Sequence, residues 1–165
     1  MTDTVDKTIR SRIMRSVPHA HTKLERALRL SLHAIGFRYR LGGCGLPGSP
    51  DPVLHKHRAV VFVHGCFWHR HAGCRYATTP STRADFWQSK FEANVARDNA
   101  VQRALLAAGW RVATIWECAL RKPRHVAAAG DQLSTWLLAE TDALELGERE
   151  IVAPPRENRD VSSSD

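Results

Sequence analysis

No apolar run in the 165-residue chain approaches the ~20 residues that a membrane-spanning helix needs. The first residues are polar and charged and hold no apolar core of the kind a secretory signal carries. Cysteine is sparse, with four in an otherwise ordinary chain. That usage fits a reducing compartment, where thiols bind metal rather than pair. There are no internal repeats, which excludes a solenoid or propeller. The expectation is one cytoplasmic domain with a single sizeable core, monomeric and without membrane contact.

Carboxylates are scarce through most of the chain. Residues 1–125 hold 8 Asp+Glu against 21 Lys+Arg, a balance of +13, whereas residues 126–165 hold 9 against 3, a balance of −6. A basic field of this size draws in polyanions and supplies the counterion-release part of nucleic-acid binding. Most of the cations are arginines, which suit forked contacts to phosphates and bases.

What the chain does have is concentrated in V-V-F-V-H-G-C-F-W-H-R-H-A-G-C, residues 60–74. Val60 to Val63 is apolar and mostly β-branched, the pattern of a buried strand. The next eleven residues carry His64, His69 and His71, Cys66 and Cys74, and the aromatic pair Phe67-Trp68. Soft thiolates and imidazoles in one short loop suit a tetrahedral zinc. Cys66, His71 and Cys74 can turn to one point, and Cys118, following a second strand, is the best candidate for a fourth ligand. A thiol redox pair is the competing reading, and Cys44 in its glycine-rich loop reads as a plain thiol.

In chain order, residues 1–20 read as a basic arm, with Lys7, Arg10, Arg12 and Arg15 among apolar residues including Met14. Thr22 and Glu25 form a capping-box pattern that opens a helix to Ile35. Phe37 to Leu41 reads as a strand and residues 42–49 as a loop. Val53-Leu54 then pairs through an H-K-H-R turn with the central strand, which sets Asp51 beside the strand end carrying His64. There it is either a turn residue or a hard oxygen ligand suited to Mg²⁺. Thr82 is the expected cap of a long helix ending before Gly109, with Phe86, Phe91, Val95, Val101, Leu105 and Leu106 buried and Trp87 beside the 66–74 loop. Asp98, one turn from Asn94, is either a solvated charge or a partner that orients an imidazole. Trp110 to Trp116 is a second buried strand, parallel to the first through a right-handed crossover. A last helix covers about 124–140, and residues 141–165 read as an acidic, polar tail without regular structure.

Taken together, these residues resemble one family, the very-short-patch repair (Vsr) DNA mismatch endonucleases. The resemblance covers about residues 6–140 and rests on D-K-x-x-R-S-x-x-M-R (6–15), L-P-G-x-P-D (46–51), H-G-C-F-W-H-x-H-x-x-C (64–74), F-W (86–87), N-V-x-R-D (94–98), G-W-R-V (109–112) and W-E-C-A-L (116–120). It implies a restriction-endonuclease-like α/β domain of the PD-(D/E)xK type over residues 21–140, with a central mixed sheet flanked by helices and a structural zinc. It also implies an Mg²⁺-dependent nick 5′ of the thymine in a T:G mismatch left by deamination of 5-methylcytosine, on double-stranded DNA in the nucleoid. Mismatch-repair proteins and a DNA polymerase would act downstream.

By position, Asp51 and the backbone carbonyl of Val63 resemble the Mg²⁺ ligands. His69 resembles the general base, Asp98 its partner, His64 a second active-site histidine, and Glu25 an outer residue acting on metal-bound water. Cys66, His71, Cys74 and Cys118 resemble the zinc ligands. Phe67, Trp68 and Trp87 resemble an aromatic wedge at the mismatch, with Met14, Arg12 and Arg15 on the arm at the DNA. The chain departs from the family pattern at three points. Val63 replaces a common hydroxyl residue, two residues rather than one separate His71 from Cys74, and Ile13 replaces a polar residue beside Met14. Two other readings remain, a nicking nuclease of the same fold with wider specificity and a non-catalytic zinc module that binds mismatched DNA.

Overall fold

The computed structural model describes residues 22–152, so the arm with Arg12, Met14 and Arg15 and the segment 153–165 lie outside the described residues. The first helix, α1 (Lys23–Ala34), opens on a complete capping box. The Glu25 amide donates to Thr22 Oγ1 at 3.3 Å and the Thr22 amide to Glu25 Oε2 at 2.7 Å. Leu28 and Leu32, one helical turn apart, are fully buried.

Strand β1 (Val53–Leu54) pairs antiparallel with β2 (Ala59–His64) through the His55–His57 turn. Helix α2 (Ala84–Ala107) then crosses over to β3 (Arg111–Trp116), which lies parallel to β2 in the register Ala59↔Arg111 to His64↔Trp116. Helix α3 (Pro123–Leu138) makes a second crossover to β4 (Ala143–Leu146), parallel to β3, and α4 (Glu148–Val152) follows. The result is a single-domain α/β structure, a mixed four-stranded sheet in the order β1-β2-β3-β4 flanked by helices.

Alternation along the strands divides the core. Ala59, Val61, Ala113, Ile115 and Leu146 face Leu28 and Leu32 of α1 and Leu133 and Leu137 of α3. Val60 and Val112 face Leu105 of α2 on the other side. At the carboxyl end of the sheet the same alternation turns His64 and Trp116 toward the α2 side, where ligands of open α/β sheets bind.

Four expectations change. Phe37–Leu41 is not a strand, because a single bridge between Arg40 and Val53 is all the pairing it makes. Helix α2 starts at Ala84 rather than at a Thr82 cap, with Arg83 in the left-handed region at φ 55° and no side-chain cap bond. Its inward stripe steps through Trp87, Phe91, Asn94, Asp98, Val101 and Leu105, alternating four and three residues. Trp87 is therefore 8% exposed while Phe86, 100° around the helix, is 50% exposed. Finally, residues 143–152 are regular. Leu144 and Leu146 alternate inward from β4, a pattern too short to stand out in a polar stretch. Among the described residues no helix is long and apolar enough to cross a membrane.

Candidate functional site

Glu25 of α1, Asp51 before β1, Val63 and His64 at the end of β2, His69 of the following loop and Asp98 of α2 line one cavity of about 720 Å³. Five segments of chain thus converge on a single basin. Asp51 reaches it because its amide donates to the Val61 carbonyl at 3.1 Å, extending the β1–β2 ladder toward the strand end. Arg29, 7% exposed, holds Asp51 Oδ2 at 3.2 Å from Nη1. The sequence offers only one sign of this pair, a cation one residue from the Leu28 stripe.

His69 and Asp98 meet at 2.5 Å between Nδ1 and Oδ2. A carboxylate there accepts from Nδ1–H and leaves Nε2 as the basic nitrogen facing the basin. Of the two readings of Asp98, the structure pairs it with an imidazole, that of His69, from the inward stripe of α2. His64 stacks on His69 with ring centroids 4.0 Å apart and planes 8° from parallel. Burial, with the adjacent His69 second, pushes His64 down to about 4, so the ring is neutral near pH 7.

The same loop builds a second cluster. Cys66, His71, Cys74 and Cys118 bring one ligating atom each to within 4.8 Å of one another, a set that could hold a metal ion. His71 Nδ1 lies 3.7 Å from Cys66 Sγ and 3.4 Å from Cys118 Sγ. Burial pushes the Cys66 and Cys118 thiols up, so ionising them here would take a cation beside them. Burial also lowers His71, which favours its neutral, ligating form.

Around this cluster the β4–α4 corner closes in. The Glu148 amide donates to Cys118 Sγ at 3.3 Å. A Cβ at Gly147 would sit 2.6 Å from His71 Cε1, so only glycine lets the corner approach that ring. These contacts run against the expectation of a tail without regular structure over 141–165.

Between the loop and α2 lies an aromatic stack. Phe67 meets Trp68, Trp87 and Phe91 at centroid distances of 5.1, 5.7 and 5.2 Å, each near edge-to-face. Asn94 Nδ2 donates to the Trp68 carbonyl at 3.1 Å and ties the loop to the helix. Phe67 and Trp68 are half-buried, and Trp87 lies beneath them.

A family model described as DNA mismatch endonuclease Vsr matches residues 2–75. The chain is 49% identical over 120 residues to the type II nicking enzyme V.XorIIP of Xanthomonas oryzae pv. oryzae, covering 73% of this chain and 88% of that protein. It is 39% identical over 142 residues to the DNA mismatch endonuclease Vsr of Escherichia coli, covering 85% and 90%. To the type II nicking enzyme V.NmeAIP of Neisseria meningitidis it is 39% identical over 121 residues, covering 73% and 86%. With relatives of this identity spanning nearly their whole length, and a cavity where a stacked histidine pair meets two aspartates, the chain belongs to the Vsr family and is a DNA endonuclease.

Proposed function

We propose that the protein nicks one strand of a DNA duplex on the 5′ side of the thymine in a T:G mismatch, with Mg²⁺ as the catalytic ion. The observation that carries this reading is the His69–Asp98 pair, stacked on His64 and opening into the same cavity as Asp51. The basin is the active site of a restriction-endonuclease-like core, with Asp51 at the proline-aspartate position.

Hydrolysis of a phosphodiester needs an activated water, neutralised phosphate charge and a stabilised leaving oxygen. Asp51, just before β1, and the Val63 carbonyl of β2 are hard oxygen donors lining one cavity and fit Mg²⁺, which takes one or two carboxylates and keeps several waters. Bound there, Mg²⁺ would supply the charge neutralisation and leaving-group stabilisation. Arg29 holds the Asp51 carboxylate in place. His69 Nε2 takes the proton of the attacking water, and Asp98 fixes the tautomer and stabilises the resulting cation. General base catalysis of this kind contributes about 10²–10⁴-fold. His64, kept neutral by burial, packs the His69 ring and presents a donor to the phosphate. Glu25, its carboxylate already engaged by the Thr22 amide, borders the water side of the basin.

Zinc fits the second cluster. A tetrahedron with ligand bonds of ~2.3 Å to sulfur and ~2.0 Å to nitrogen has nitrogen–sulfur edges of about 3.5 Å, and the two measured edges are 3.7 and 3.4 Å. With Cys66, His71, Cys74 and Cys118 as ligands, the role is structural: it stiffens the loop that carries both His69 and the Phe67-Trp68 pair. These two rings enter beside the mismatch, backed by Trp87 and Phe91. Unstacking a base step costs a few kcal/mol, and less at a mismatch, which gives selectivity a physical basis.

The test is a nicking assay on labelled duplexes with one T:G mismatch in several flanking contexts, with and without Mg²⁺, beside Asp51→Ala. A metal-dependent nick 5′ of the thymine, lost in the variant while duplex binding persists, is expected. Equal nicking of other mismatches would replace T:G specificity with a broader nickase. Binding without any nick would leave a mismatch-binding zinc module.

A further inference from the structure

Trp116 ends β3 directly across from His64, its register partner on β2, and on the same face of the sheet. Its ring lies flat on His71, with centroids 4.3 Å apart and planes 7° from parallel. It also meets His64 edge to face at 5.6 Å and 69°. On the far side its Nε1–H donates to Glu145 Oε1 at 2.6 Å, a carboxylate carried by β4. The side chain is 8% exposed, yet its buried neighbours are Cys66 and Cys118 rather than aliphatic residues. A tryptophan recruited for core volume would be surrounded by apolar side chains. This one is wedged between two imidazoles of different clusters and locked in rotation by a carboxylate.

We propose that Trp116 is a positioning residue for the nicking reaction. It is the shared wall through which the Cys66–His71–Cys74–Cys118 cluster sets the orientation of His64 and, by stacking, of His69, with Glu145 as the clamp that holds the indole. One plane fixes His71 at its face and His64 at its edge, and His64 in turn fixes His69 over an 8° stack. A rotation of the indole would therefore tilt the basic nitrogen of His69 away from its water. Effects of this kind fall on the chemical step rather than on duplex binding, because none of Trp116, Glu145 and His71 belongs to the aromatic wedge.

The inference rests on the nicking reading, and the wild-type protein on the T:G duplex is the control that separates the two. If the wild type does not nick, that reading fails. If it nicks and the variants match it, this one fails alone. Four forms of the full zinc-loaded protein are compared: wild type, Trp116→Phe, Trp116→Leu and Glu145→Leu. The readouts are the single-turnover rate at saturating duplex, duplex Kd, zinc per chain and the histidine ring resonances by NMR.

Trp116→Phe keeps an aromatic face against His71 but loses the Nε1–H that Glu145 holds, so it slows the chemical step as much as Glu145→Leu and less than Trp116→Leu. Glu145→Leu and Trp116→Leu slow the chemical step by about tenfold or more, since sub-ångström misplacement of a catalytic group is costly. In both, duplex Kd changes by less than about threefold and zinc per chain is retained, as expected when only orientation is disturbed. In Glu145→Leu the His64 and His69 ring resonances move although the change is made on β4. Should Trp116→Leu fail to fold, Glu145→Leu decides by itself. A wild-type rate in folded Glu145→Leu overturns the proposal. So does a rate that falls only in proportion to zinc lost, because Trp116 would then serve the metal loop alone. A defect in Kd with an unchanged rate overturns it as well.

Discussion

The cluster around Cys66 and Cys118 and the cluster around His69 and Asp98 are built on one loop, residues 64–74, and differ in what encloses them. Cys66 and Cys118 are 0 and 1% exposed. Their donors are soft and the β4–α4 corner packs against them, while His71 and Cys74 of the same cluster are half-buried. The side chains of His69 and Asp98 are 29 and 25% exposed, and they open on a cavity shared with Asp51. A full set of soft protein donors is the mark of a metal that stabilises a fold, whereas a histidine–carboxylate pair opening on a cavity is the mark of proton-transfer chemistry. Under the proposed function one loop serves both stability and chemistry, since Cys66, His71 and Cys74 alternate along it with His64 and His69.

That contrast is most strongly tested on the closed side. Cys118→Ala should release the zinc, disorder the loop and abolish nicking together with mismatch binding. Structural zinc can contribute ~10 kcal/mol in small domains. The signature is loss of metal by elemental analysis with a large fall in Tm. On the open side, His69→Ala should lower the single-turnover rate by about 10²–10⁴-fold with zinc, Tm and duplex Kd nearly unchanged. If it instead loses zinc, the two clusters on the loop are not separable.

Asp98→Asn keeps the shape of the His69 partner and removes its charge. The expected fall in rate is smaller, about 10–100-fold, as for other residues that orient a functional histidine, again with Kd preserved. The aromatic region extends the comparison to the helix. Trp87→Ala should cost ~3–5 kcal/mol of stability, read as a chemical-denaturation midpoint, whereas Phe86→Ala, at an exposed position, should stay within about 0.5 kcal/mol. A small effect also belongs to Asn94→Ala, which removes the tie to the Trp68 carbonyl. It should cost about 1 kcal/mol, visible as weaker discrimination between mismatched and paired duplex in a binding assay.

Much of the site was readable because its residues are close in sequence. Cys66, His71 and Cys74 sit in one turn-rich loop, and Cys118 follows a strand whose apolar pattern places it at the same sheet end. Asp51 reaches the basin through a hairpin with local signals. Asp98 stayed one of two readings until packing put it on His69. At the start of α2 the buried position is Trp87 rather than the expected Phe86. Counting back from Leu105 in steps of four and three gives Trp87, but Phe86 is the more apolar choice by composition alone. The strand expected at 37–41 had a suitable composition and too little partner to pair with. β4 and α4 went unseen because four residues of alternation inside an acidic stretch carry almost no periodic signal.

The sequence by itself determined α1, the β2–β3 pair, the body of the two longer helices and the chemistry of the donors, since periodicity, capping and ligand type act over a few residues. It settled the capping box of α1, the parallel strand pair, and the family to which the chain belongs. Only the tertiary structure decided which side chains share a wall. His69 finds Asp98 29 residues away, His71 lies beside Cys118 47 residues away, and Trp116 finds Glu145 29 residues away. Arg29 on Asp51 and Gly147 under His71 belong to the same group. Such contacts depend on how far each helix slides and rotates when its apolar stripe is buried, a quantity set by packing of the whole core rather than by any local pattern.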